Sequence, residues 1–476
     1  MKKLPFLVPL GAGIAAALLH AESAWPQQSS ATTPSTATPA VVNRARDPGP
    51  RGGAPGAGGP ITGLSPTELQ FFTSSKATFE EVEDISDGLG PTMNLNSCAG
   101  CHASPATGGS SPAVNPQVAF ATLNGARNTV PSFVSINGPV REARFVNNPD
   151  GSPDGGVHAL FTVAGRADVS PACTLAQENF AAAVKANNVI FRIPTPLFGA
   201  GLIEAIPDAA ILANASANLG SKQPLGIAGR ANVQGFGRTI TGSTNNSGND
   251  GTVTRFGWKA QNKSLLIFSG EAYNVEMGIS NELFPQERNE TAVCATASTP
   301  NDFDHTDGTT PFGSLTDTTQ FALFQRLLAP PTPSTTSPGG APSITNGKQL
   351  FTSTGCALCH TPTMQTGNST VAALRYQNAN LYSDLLVHNM GPNLADGVSQ
   401  GGAGGTEFRT APLWGLGQRL FFLHDGRSND LGDAIQQHAS GTQRAGNASE
   451  ANGVVNAYNG LSERQKQDIL NFLRSL

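Results

Sequence analysis

Charged residues, cysteines and long apolar segments are all scarce in this chain of 476 residues. Asp, Glu, Lys and Arg make up 13% of the sequence, and the formal net charge of −5 excludes the basic surface that nucleic-acid binding requires. Beyond the N-terminus, no apolar segment is long enough to span a bilayer. Glycine and proline are abundant, with 54 and 34 residues. This composition predicts a loop-rich protein in which bound groups organise much of the core.

The long apolar segment that does exist lies at the N-terminus. Two lysines precede an apolar run over 4–19, and small residues follow near position 21. This pattern is typical of a secretory signal peptide over residues 1–23. A retained membrane anchor is the alternative, which two prolines within the run weaken. We therefore predict a periplasmic or secreted protein with no membrane span after signal cleavage.

Four of the six cysteines belong to two copies of one motif, Cys98-Ala-Gly-Cys-His102 and Cys356-Ala-Leu-Cys-His360. Cys-x-x-Cys-His is the attachment site of c-type haem, in which two thiols bond to the porphyrin and the histidine binds the iron. Zinc would need a second ligand pair near each motif, and a thiol redox site would need a βαβ context; neither is visible. The motifs predict two covalently bound haem c groups. The predicted attachment residues and iron ligands are Cys98, Cys101 and His102, then Cys356, Cys359 and His360.

Cys173 and Cys294 belong to neither motif. In an oxidising compartment they are expected to form one disulfide that closes a long loop. Two buried free thiols are the alternative.

The sequence predicts two haem domains flanked by linkers. Residues 24–63 are rich in Ser, Thr, Pro and Gly and predict a disordered tether, because they cannot bury enough apolar surface to fold. A second linker is predicted over 329–341. An N-terminal haem domain with a large insertion would then cover 64–328, and a C-terminal cytochrome c domain would cover 342–476.

Three helix signals frame these domains. Ser65-Pro-Thr-Glu68 resembles a helix start, Ile344–Thr354 is expected to be a helix that leads into the second motif, and Ser462–Leu476 begins with a capping-box pattern. The middle, 103–328, shows only short apolar runs. The expected fold is mainly α with extensive loops, formed by two cytochrome-c-like haem domains and a long irregular central insertion.

Several longer stretches resemble one known family. They are Gly156–Phe161, Arg192–Pro207, Arg255–Lys259, Leu385–Gly397, Phe408–Gly417, Leu423–Arg427 and Ala434–His438. These stretches resemble the bacterial di-haem c-type oxidoreductases, a peroxidase-like family whose members are also called thiol oxidoreductases, and the resemblance covers 64–476. The chain is more distantly similar to di-haem cytochrome c peroxidases, to the di-haem enzyme that matures methylamine dehydrogenase, and to di-haem rubber oxygenases. It departs from the peroxidases in the longer segment between its motifs, which leaves the substrate open.

The resemblance implies a periplasmic, peroxidase-like enzyme in which a C-terminal electron-transfer haem feeds a reactive N-terminal haem. The implied partners are a small redox protein that donates or accepts electrons, and a small oxidant such as H2O2 or O2. The alternatives are a pure electron-transfer cytochrome and an oxygenase that acts on an apolar substrate. A thiol oxidoreductase has no support, because haem would consume the motif thiols. The sequence does not decide whether a structural calcium ion is bound.

The resemblance also implies how the second haem is held. His438 follows the His-Asp-Gly-Arg stretch at a place where the peroxidases carry an axial Met, so we predict that it binds iron opposite His360. Met390 and two other histidines, His388 and His424, are the rival ligands. Arg427 is predicted to pair with a haem propionate.

For the first haem we predict an open or water-occupied sixth position. Met93 lies too close before Cys98 to reach over the ring, and His158 and Met277 are the other candidates. Peroxide cleavage needs a group that moves a proton and a cation that stabilises the departing oxygen.

Glu204 and Arg192 are the predicted catalytic pair, with a structural salt bridge as the alternative for each. Trp258 and Trp414 are candidates for electron transfer between the haems, although buried packing is the simpler role.

Overall fold

Helices make up most of the regular structure in the computed structural model of the protein. The structure describes residues 44–93, 95–125, 130–154, 167–175, 177–234, 239–240, 243–244, 252–285, 293–294, 300–303 and 313–476. The predicted signal peptide over 1–23, the tether residues 24–43 and His158 lie outside the described residues.

The described part of the chain contains fourteen α-helices. They are α1 (Pro66–Phe79), α2 (Cys98–Cys101), α3 (Pro116–Leu123), α4 (Phe180–Lys185), α5 (Ala200–Glu204), α6 (Asp208–Ser216), α7 (Leu219–Lys222), α8 (Leu265–Met277), α9 (Asp317–Leu327), α10 (Gly340–Thr354), α11 (Gly391–Leu394), α12 (Leu431–Gln437), α13 (Asn452–Asn459) and α14 (Glu463–Ser475). Within these described ranges, no helix is both long enough and apolar enough to cross a membrane.

Ten short strands accompany the helices. They are β1 (Glu142–Phe145), β2 (Val189–Arg192), β3 (Asn232–Gln234), β4 (Thr239–Ile240), β5 (Ser243–Thr244), β6 (Thr252–Thr254), β7 (Met364–Gln365), β8 (Asn378–Ala379), β9 (Val387–Asn389) and β10 (Glu407–Arg409). They form five two-stranded antiparallel sheets, in which β1 pairs with β2, β3 with β6, β4 with β5, β7 with β8, and β9 with β10. The small sheets and many helices confirm a mainly α fold.

The three helix signals in the sequence correspond to observed helices. Ser65 caps α1 and Ser462 caps α14, and each takes part in a capping box. The third helix, α10, begins at Gly340 rather than at Ile344. It ends at Thr354 and is capped by Gly355, whose φ of 103° favours glycine, and the chain then enters the second motif directly.

The first motif lies in a lobe formed by α1, α8 and α9. Phe72 and Phe79 of α1, Tyr273 of α8, and Phe321 and Phe324 of α9 belong to one buried cluster. Both α8 and α9 come from the central segment that was expected to be an irregular insertion. Helix α8 is buried on most sides, so its sequence lacks the one-sided apolar stripe by which an amphipathic helix is recognised.

The second motif lies between α10 and α14, which pack against each other. The ring of Phe351 in α10 contacts those of Phe472 in α14 and Tyr382, with centroids 5.4 and 6.0 Å apart. This packing holds the segment that carries Cys356 against the closing helix. It matches the expected order of helix, motif, loop and terminal helix in the C-terminal region.

The two predicted haem domains share a core. Leu202 and Leu265, from before the predicted linker, pack in one buried cluster with Leu381 and Trp414, from after it. Residues 42–476 form one compact unit. The linker itself, 329–341, is therefore part of a packed structure and does not separate independent bodies.

We call residues 44–63 the N-terminal strap. The sequence predicts them to belong to a disordered tether, and the structure contradicts this. Asp47 forms a buried ion pair with Arg474 of α14, with Oδ2 and Nη2 2.6 Å apart, and the backbone N–H of Arg51 donates to a carbonyl 2.6 Å away. The prediction is wrong here because backbone hydrogen bonds and one ion pair hold the strap, whereas the composition argument considered only apolar burial.

A disulfide joins Cys173 and Cys294. The two residues are 121 positions apart in sequence, so the bond closes a large loop of the central segment. This confirms the predicted pairing and excludes the alternative of two free thiols. The four motif cysteines form no disulfide.

Candidate functional site

The second motif borders a cavity of about 220 Å³ whose wall is mostly apolar. Cys356, Cys359 and His360 all line it. Nδ1 of His360 lies 3.0 Å from the carbonyl oxygen of Tyr382, which leaves Nε2 for a ligand. Burial lowers the pKa of His360 to about 4. The ring is therefore neutral at pH 7, which is the form that binds iron.

His438 lines the same cavity from the end of α12. Its Nδ1 lies 2.6 Å from the carbonyl oxygen of Ala434, so Nε2 is again the nitrogen that remains for a ligand. Burial lowers its pKa as well, and its proximity contributes to the lowered pKa of His360. The structure thus brings together the two predicted ligands of the second haem.

The rival ligands Met390, His388 and His424 also line this cavity. His388 has both ring nitrogens engaged, with Nδ1 2.7 Å from Glu450 and Nε2 3.0 Å from Asp384. Burial alone would lower the pKa of His388, but the charge of Asp384 raises it well above its ordinary value. His388 is therefore a poor iron ligand, while Met390 and His424 stay alternatives to the predicted one.

Two buried arginines line this cavity without an acidic partner. Arg409 donates from Nε to the carbonyl of Gly257 at 3.0 Å, and Arg419 donates from Nε to that of Phe421 at 2.9 Å. Nη2 of Arg419 is buried without a hydrogen bond. Burial lowers the pKa of each arginine to about 10, and no carboxylate of the described residues lies within ion-pair distance of either. Buried cations of this kind require an anion, and haem propionates are anionic.

Arg427, predicted to bind a propionate, does not line the cavity. Its Nε donates to Asp425 at 2.6 Å, and its Nη1 donates to the carbonyl of Asn393 at 2.7 Å. The structure does not bring Arg427 to the cavity wall, so its propionate role stays a prediction, and Arg409 and Arg419 are two further buried cations that line the cavity. A signal was present in the sequence, since an arginine within an apolar segment is rarely left without a partner.

The first motif borders two adjoining cavities, of about 60 and 90 Å³. His102 lines the smaller one, and its Nδ1 lies 3.0 Å from the carbonyl oxygen of Gly109. Burial lowers the pKa of His102 to about 4, so its ring is also neutral. Among the described residues no second histidine borders either cavity. Met93 and Met277 do, and the sulfur of Met277 is 3.8 Å from that of Cys98, at the attachment edge.

The larger of these two cavities is lined by many charged and polar side chains, and we call it the polar cavity. Its polar lining residues are Gln117, Arg141, Glu142, Arg144, Arg192, Thr195, Gln261, Glu271 and Glu276. It shares Cys101, Thr195, Phe268, Ala272 and Glu276 with the smaller one, which we call the apolar cavity. The accessible walls of both cavities are mostly apolar, and the larger cavity adds the charged side chains that can handle protons.

Glu276 is the functional candidate that sequence reasoning missed. It lines both cavities of the first site, and its side chain is exposed. Desolvation by the surrounding protein raises the pKa of Glu276 above its ordinary value, the charge of Arg144 opposes that rise, and the charge of Glu271 adds to it. A carboxyl group poised near neutral pH can accept and return a proton. A sequence signal existed, because two glutamates interrupt the otherwise apolar stretch of α8.

Glu204 and Arg192 do not form the predicted catalytic pair. Both carboxylate oxygens of Glu204 accept hydrogen bonds from Arg326, at 2.6 and 3.1 Å, and Glu204 borders neither cavity of the first site. Arg192 does line the polar cavity, but its guanidinium is paired with Asp396 at 3.0 Å. The alternative of a structural salt bridge therefore holds for Glu204.

Trp258 borders both the polar cavity of the first site and the cavity of the second. Its Nε1 donates to the carbonyl of Ile193 at 3.0 Å, which fixes the indole. Trp414 instead packs within the shared core. Among the described residues, Trp258 is thus the tryptophan placed between the two sites.

Residues 141–476 match a protein family described as "di-haem oxidoreductase, putative peroxidase". The chain belongs to this di-haem oxidoreductase family. No curated protein matches the chain. The matched residues begin after Cys98–His102, so the first motif lies outside the match and is supported by its own spacing and cavities.

A di-haem oxidoreductase carries two haem groups, and the residues present fit that cofactor. Each motif presents two thiols without a disulfide beside a cavity, and each motif histidine is neutral and oriented by a backbone carbonyl. The second cavity adds His438 and two arginines that lack an anion. These features are expected of protein that encloses a porphyrin, its iron and its propionates.

Proposed function

We propose that this di-haem oxidoreductase is a peroxidase-like enzyme in which hydrogen peroxide is reduced at the His102 site and electrons enter through the His360 site. The proposal includes covalent attachment of both haem groups through the motif thiols. Haem iron supplies the one-electron redox chemistry when bound. Residues of the chain supply ligands, proton transfer and electron entry.

The observation that carries the proposal is the asymmetry between the two sites. The second cavity contains His360 and His438, each with one ring nitrogen available, and two strong axial ligands are typical of electron-transfer haem. Among the described residues, His102 is the one histidine at the first site, beside the polar cavity. A haem held by one histidine would leave a coordination position to a reactant. We therefore assign electron transfer to the second site and peroxide reduction to the first.

Glu276 is proposed to move the proton that peroxide cleavage requires. Its carboxylate can accept a proton from one peroxide oxygen and return it to the oxygen that leaves as water. The raised pKa of Glu276 brings its protonated form closer to neutral pH. Arg144, whose charge acts on Glu276, supplies a nearby cation.

Trp258 is proposed to lie on the electron path between the sites, because it borders both. A small redox protein is the proposed electron donor, and the periplasm or the extracellular space is the proposed location. The N-terminal segment with its signal-peptide pattern supports that location.

The charged side chains that line the larger cavity do not exclude an oxygenase for apolar substrates, because most of the accessible wall of both cavities at the first site is apolar. A pure electron carrier remains the second candidate. It would need a strong second ligand at the His102 site, and Met93 and Met277 are the described residues at that site that could supply one.

The test is Glu276→Gln in the haem-loaded protein. Glutamine cannot accept the proton, so we expect unchanged spectra of both haem groups and a reaction with peroxide slower by about 10² to 10⁴. Stopped-flow absorbance after mixing with hydrogen peroxide measures this rate.

Glu204→Gln is the matched control, because that carboxylate is paired with Arg326 away from both cavities. It should react at the wild-type rate. A slow Glu204 variant and a normal Glu276 variant would reverse the assignment. A wild-type protein with two low-spin haem groups and no reaction with peroxide would replace the enzyme with an electron carrier.

A further inference from the structure

Tyr273 lies in the wall of the apolar cavity of the first site. Only 2% of its surface is exposed, and its hydroxyl group points to two carboxyl groups. The phenol oxygen is 3.2 Å from Oε1 of Glu83 and 3.3 Å from Oδ2 of Asp317. These contacts join three chain segments, because Glu83 follows α1, Tyr273 lies on α8 and Asp317 begins α9.

The three groups must share protons. A phenol can donate one hydrogen bond, so two ionised carboxylates cannot both be satisfied at its oxygen, and their charges would repel each other. Burial and the charge of Asp317 raise the pKa of Glu83 to about 8, and burial and the charge of Asp302 raise that of Asp317 to about 7. The arrangement that satisfies all three groups has one carboxylate accepting from the phenol and one carboxylic acid donating to it.

An aromatic series connects this phenol to the iron ligand of the first site. The ring centroids of Tyr273 and Phe321 are 4.9 Å apart, those of Phe321 and Phe79 are 6.0 Å apart, and those of Phe79 and His102 are 6.0 Å apart. Tyr273 also borders the cavity directly, so an electron leaving its ring has only a short distance to cross.

We propose that Tyr273 is a redox-active residue that gives one electron to the His102 haem site when peroxide reacts there, while its phenolic proton passes to the Glu83–Asp317 pair. The inference rests on the proposed function. Hydrogen peroxide takes up two electrons, together with two protons that solvent supplies, and yields two water molecules. One electron comes from the haem site and the other from Tyr273, whose O–H bond breaks as a carboxylate oxygen gains the proton. The product is a neutral tyrosyl radical that accepts a hydrogen bond from the second carboxyl group.

The other three tyrosines lack this environment. Tyr376 is 62% exposed, and Tyr382 and Tyr458 belong to the core around the second motif. In the described part of the chain, none of the three donates its hydroxyl hydrogen to a carboxylate. A buried phenol needs such an acceptor to lose its proton together with an electron, so Tyr273 is the tyrosine that the structure selects.

The experiment is freeze-quench electron paramagnetic resonance of the full-length, haem-loaded protein after mixing with hydrogen peroxide. The wild type should give a radical signal that narrows when the protein is grown with ring-deuterated tyrosine. Tyr273→Phe should abolish this signal, since phenylalanine has no O–H bond to break. Tyr458→Phe, a matched change at another buried tyrosine, should retain it. Haem content and unfolding midpoint check that both variants are folded.

Glu83→Gln and Asp317→Asn keep the phenol and remove one proton acceptor each, so the tyrosyl signal should form more slowly in either variant than in the wild type. These variants keep the inference falsifiable if Tyr273→Phe fails to fold. Unchanged formation of the signal in both would overturn the role of the pair.

The outcomes separate this inference from the proposed function. A haem spectrum that changes with peroxide, together with no tyrosyl signal or with a signal unaffected by Tyr273→Phe, overturns the inference alone. A radical that tyrosine deuteration leaves unchanged and that Trp258→Phe removes would place the electron donor on the tryptophan instead. A haem spectrum that peroxide does not change would overturn the proposed function and this inference with it.

Discussion

His438 and His388 line the same cavity and differ in the partners of their ring nitrogens. His438 has one nitrogen bonded to a backbone carbonyl, while His388 has both nitrogens engaged by Glu450 and Asp384. A histidine whose second nitrogen is free can bind iron, and one held between two carboxylates is fixed as a cation. The difference gives each histidine a separate, measurable role.

We predict that His438→Ala converts one haem from low spin to high spin and leaves the spectrum of the His102 haem intact, because only the second site loses a strong ligand. His388→Gln should keep both spin states as in the wild type. Electron paramagnetic resonance of the oxidised protein measures the spin states. If His388→Gln or Met390→Leu produced the high-spin signal and His438→Ala did not, the ligand assignment would be wrong.

Arg419 carries a buried charge that no described carboxylate balances, and a nearby positive charge stabilises the reduced state of a haem. We predict that Arg419→Met lowers the reduction potential of the second haem by tens of millivolts, on the order of 1–2 kcal/mol. Arg427→Met is the control, because Arg427 pairs with Asp425 outside the cavity, and the potential should stay unchanged. Spectroelectrochemical titration measures both potentials. A larger shift in the Arg427 variant would return the propionate role to that residue.

At the scale of elements, the N-terminal strap depends on one ion pair. Asp47 accepts two hydrogen bonds from Arg474, at 2.6 and 2.7 Å, and a third from the backbone N–H of Leu431 at the start of α12. The side chain of Arg474 is fully buried and that of Asp47 is 4% exposed. Three elements therefore meet at a single carboxylate.

We predict that Asp47→Ala lowers the free energy of unfolding by about 3–5 kcal/mol, because it leaves the Arg474 charge buried without a partner. Lys76→Ala removes an exposed ion pair with Glu80 on α1 and should change stability by less than about 0.5 kcal/mol. Urea denaturation measures both variants. Equal, small effects would show that the strap is not held by this pair.

The helices also differ in how well the sequence predicts them. Helices α1 and α14 each begin with a capping box formed within four consecutive residues, and the sequence predicts the N-terminus of both helices. Helix α8 has no such one-sided pattern because it is buried on most sides. Local signals thus predict helix ends well, whereas a helix enclosed by the rest of the molecule is recognised only from its neighbours.

At the scale of the whole molecule, the functional residues also divide into those that local sequence patterns predict and those that only the fold brings together. The two haem motifs are local patterns and could be predicted from spacing alone, and the prediction of His438 came from the resemblance to the peroxidases. Tyr273 and Glu83 meet across 190 positions of sequence, and Asp47 and Arg474 across 427. No spacing rule relates such residues, so the proton-sharing cluster and the strap became visible only in three dimensions. Glu204 was chosen for its residue type, and its partner Arg326, also distant in sequence, decides its role.

The proton-sharing cluster makes the stability of the molecule depend on pH. The folded protein keeps a proton on Glu83 up to a pH of about 8, whereas an unfolded chain releases it near 4.5. Between these two pH values the folded state therefore binds more protons than the unfolded state. The free energy of unfolding falls as the pH rises through this range. We predict that Glu83→Gln removes part of the fall in unfolding free energy between about pH 5 and about pH 8.5, on the order of 2–4 kcal/mol. Urea denaturation at the two pH values measures this.

Glu178→Gln is the control for this prediction, because Glu178 is exposed and its charge does not act on Glu83, Tyr273 or Asp317. It should keep the pH dependence of the wild type. The cluster would be excluded as its source if the Glu83 and Glu178 variants behaved alike.

The strap also sets an order of events during biosynthesis. Asp47 is made 427 residues before Arg474, so a growing chain carries the strap without its partner until the last helix has emerged. A chain truncated before α14 would lose that ion pair and keep only the strap's other contacts, such as its backbone hydrogen bonds to Gly417 and Leu327, so the Gly- and Pro-rich strap would open to proteases more often. Strong resistance of residues 44–63 to cleavage therefore reports that the C-terminal helix is in place, which links protection near one end of the described chain to synthesis of the other.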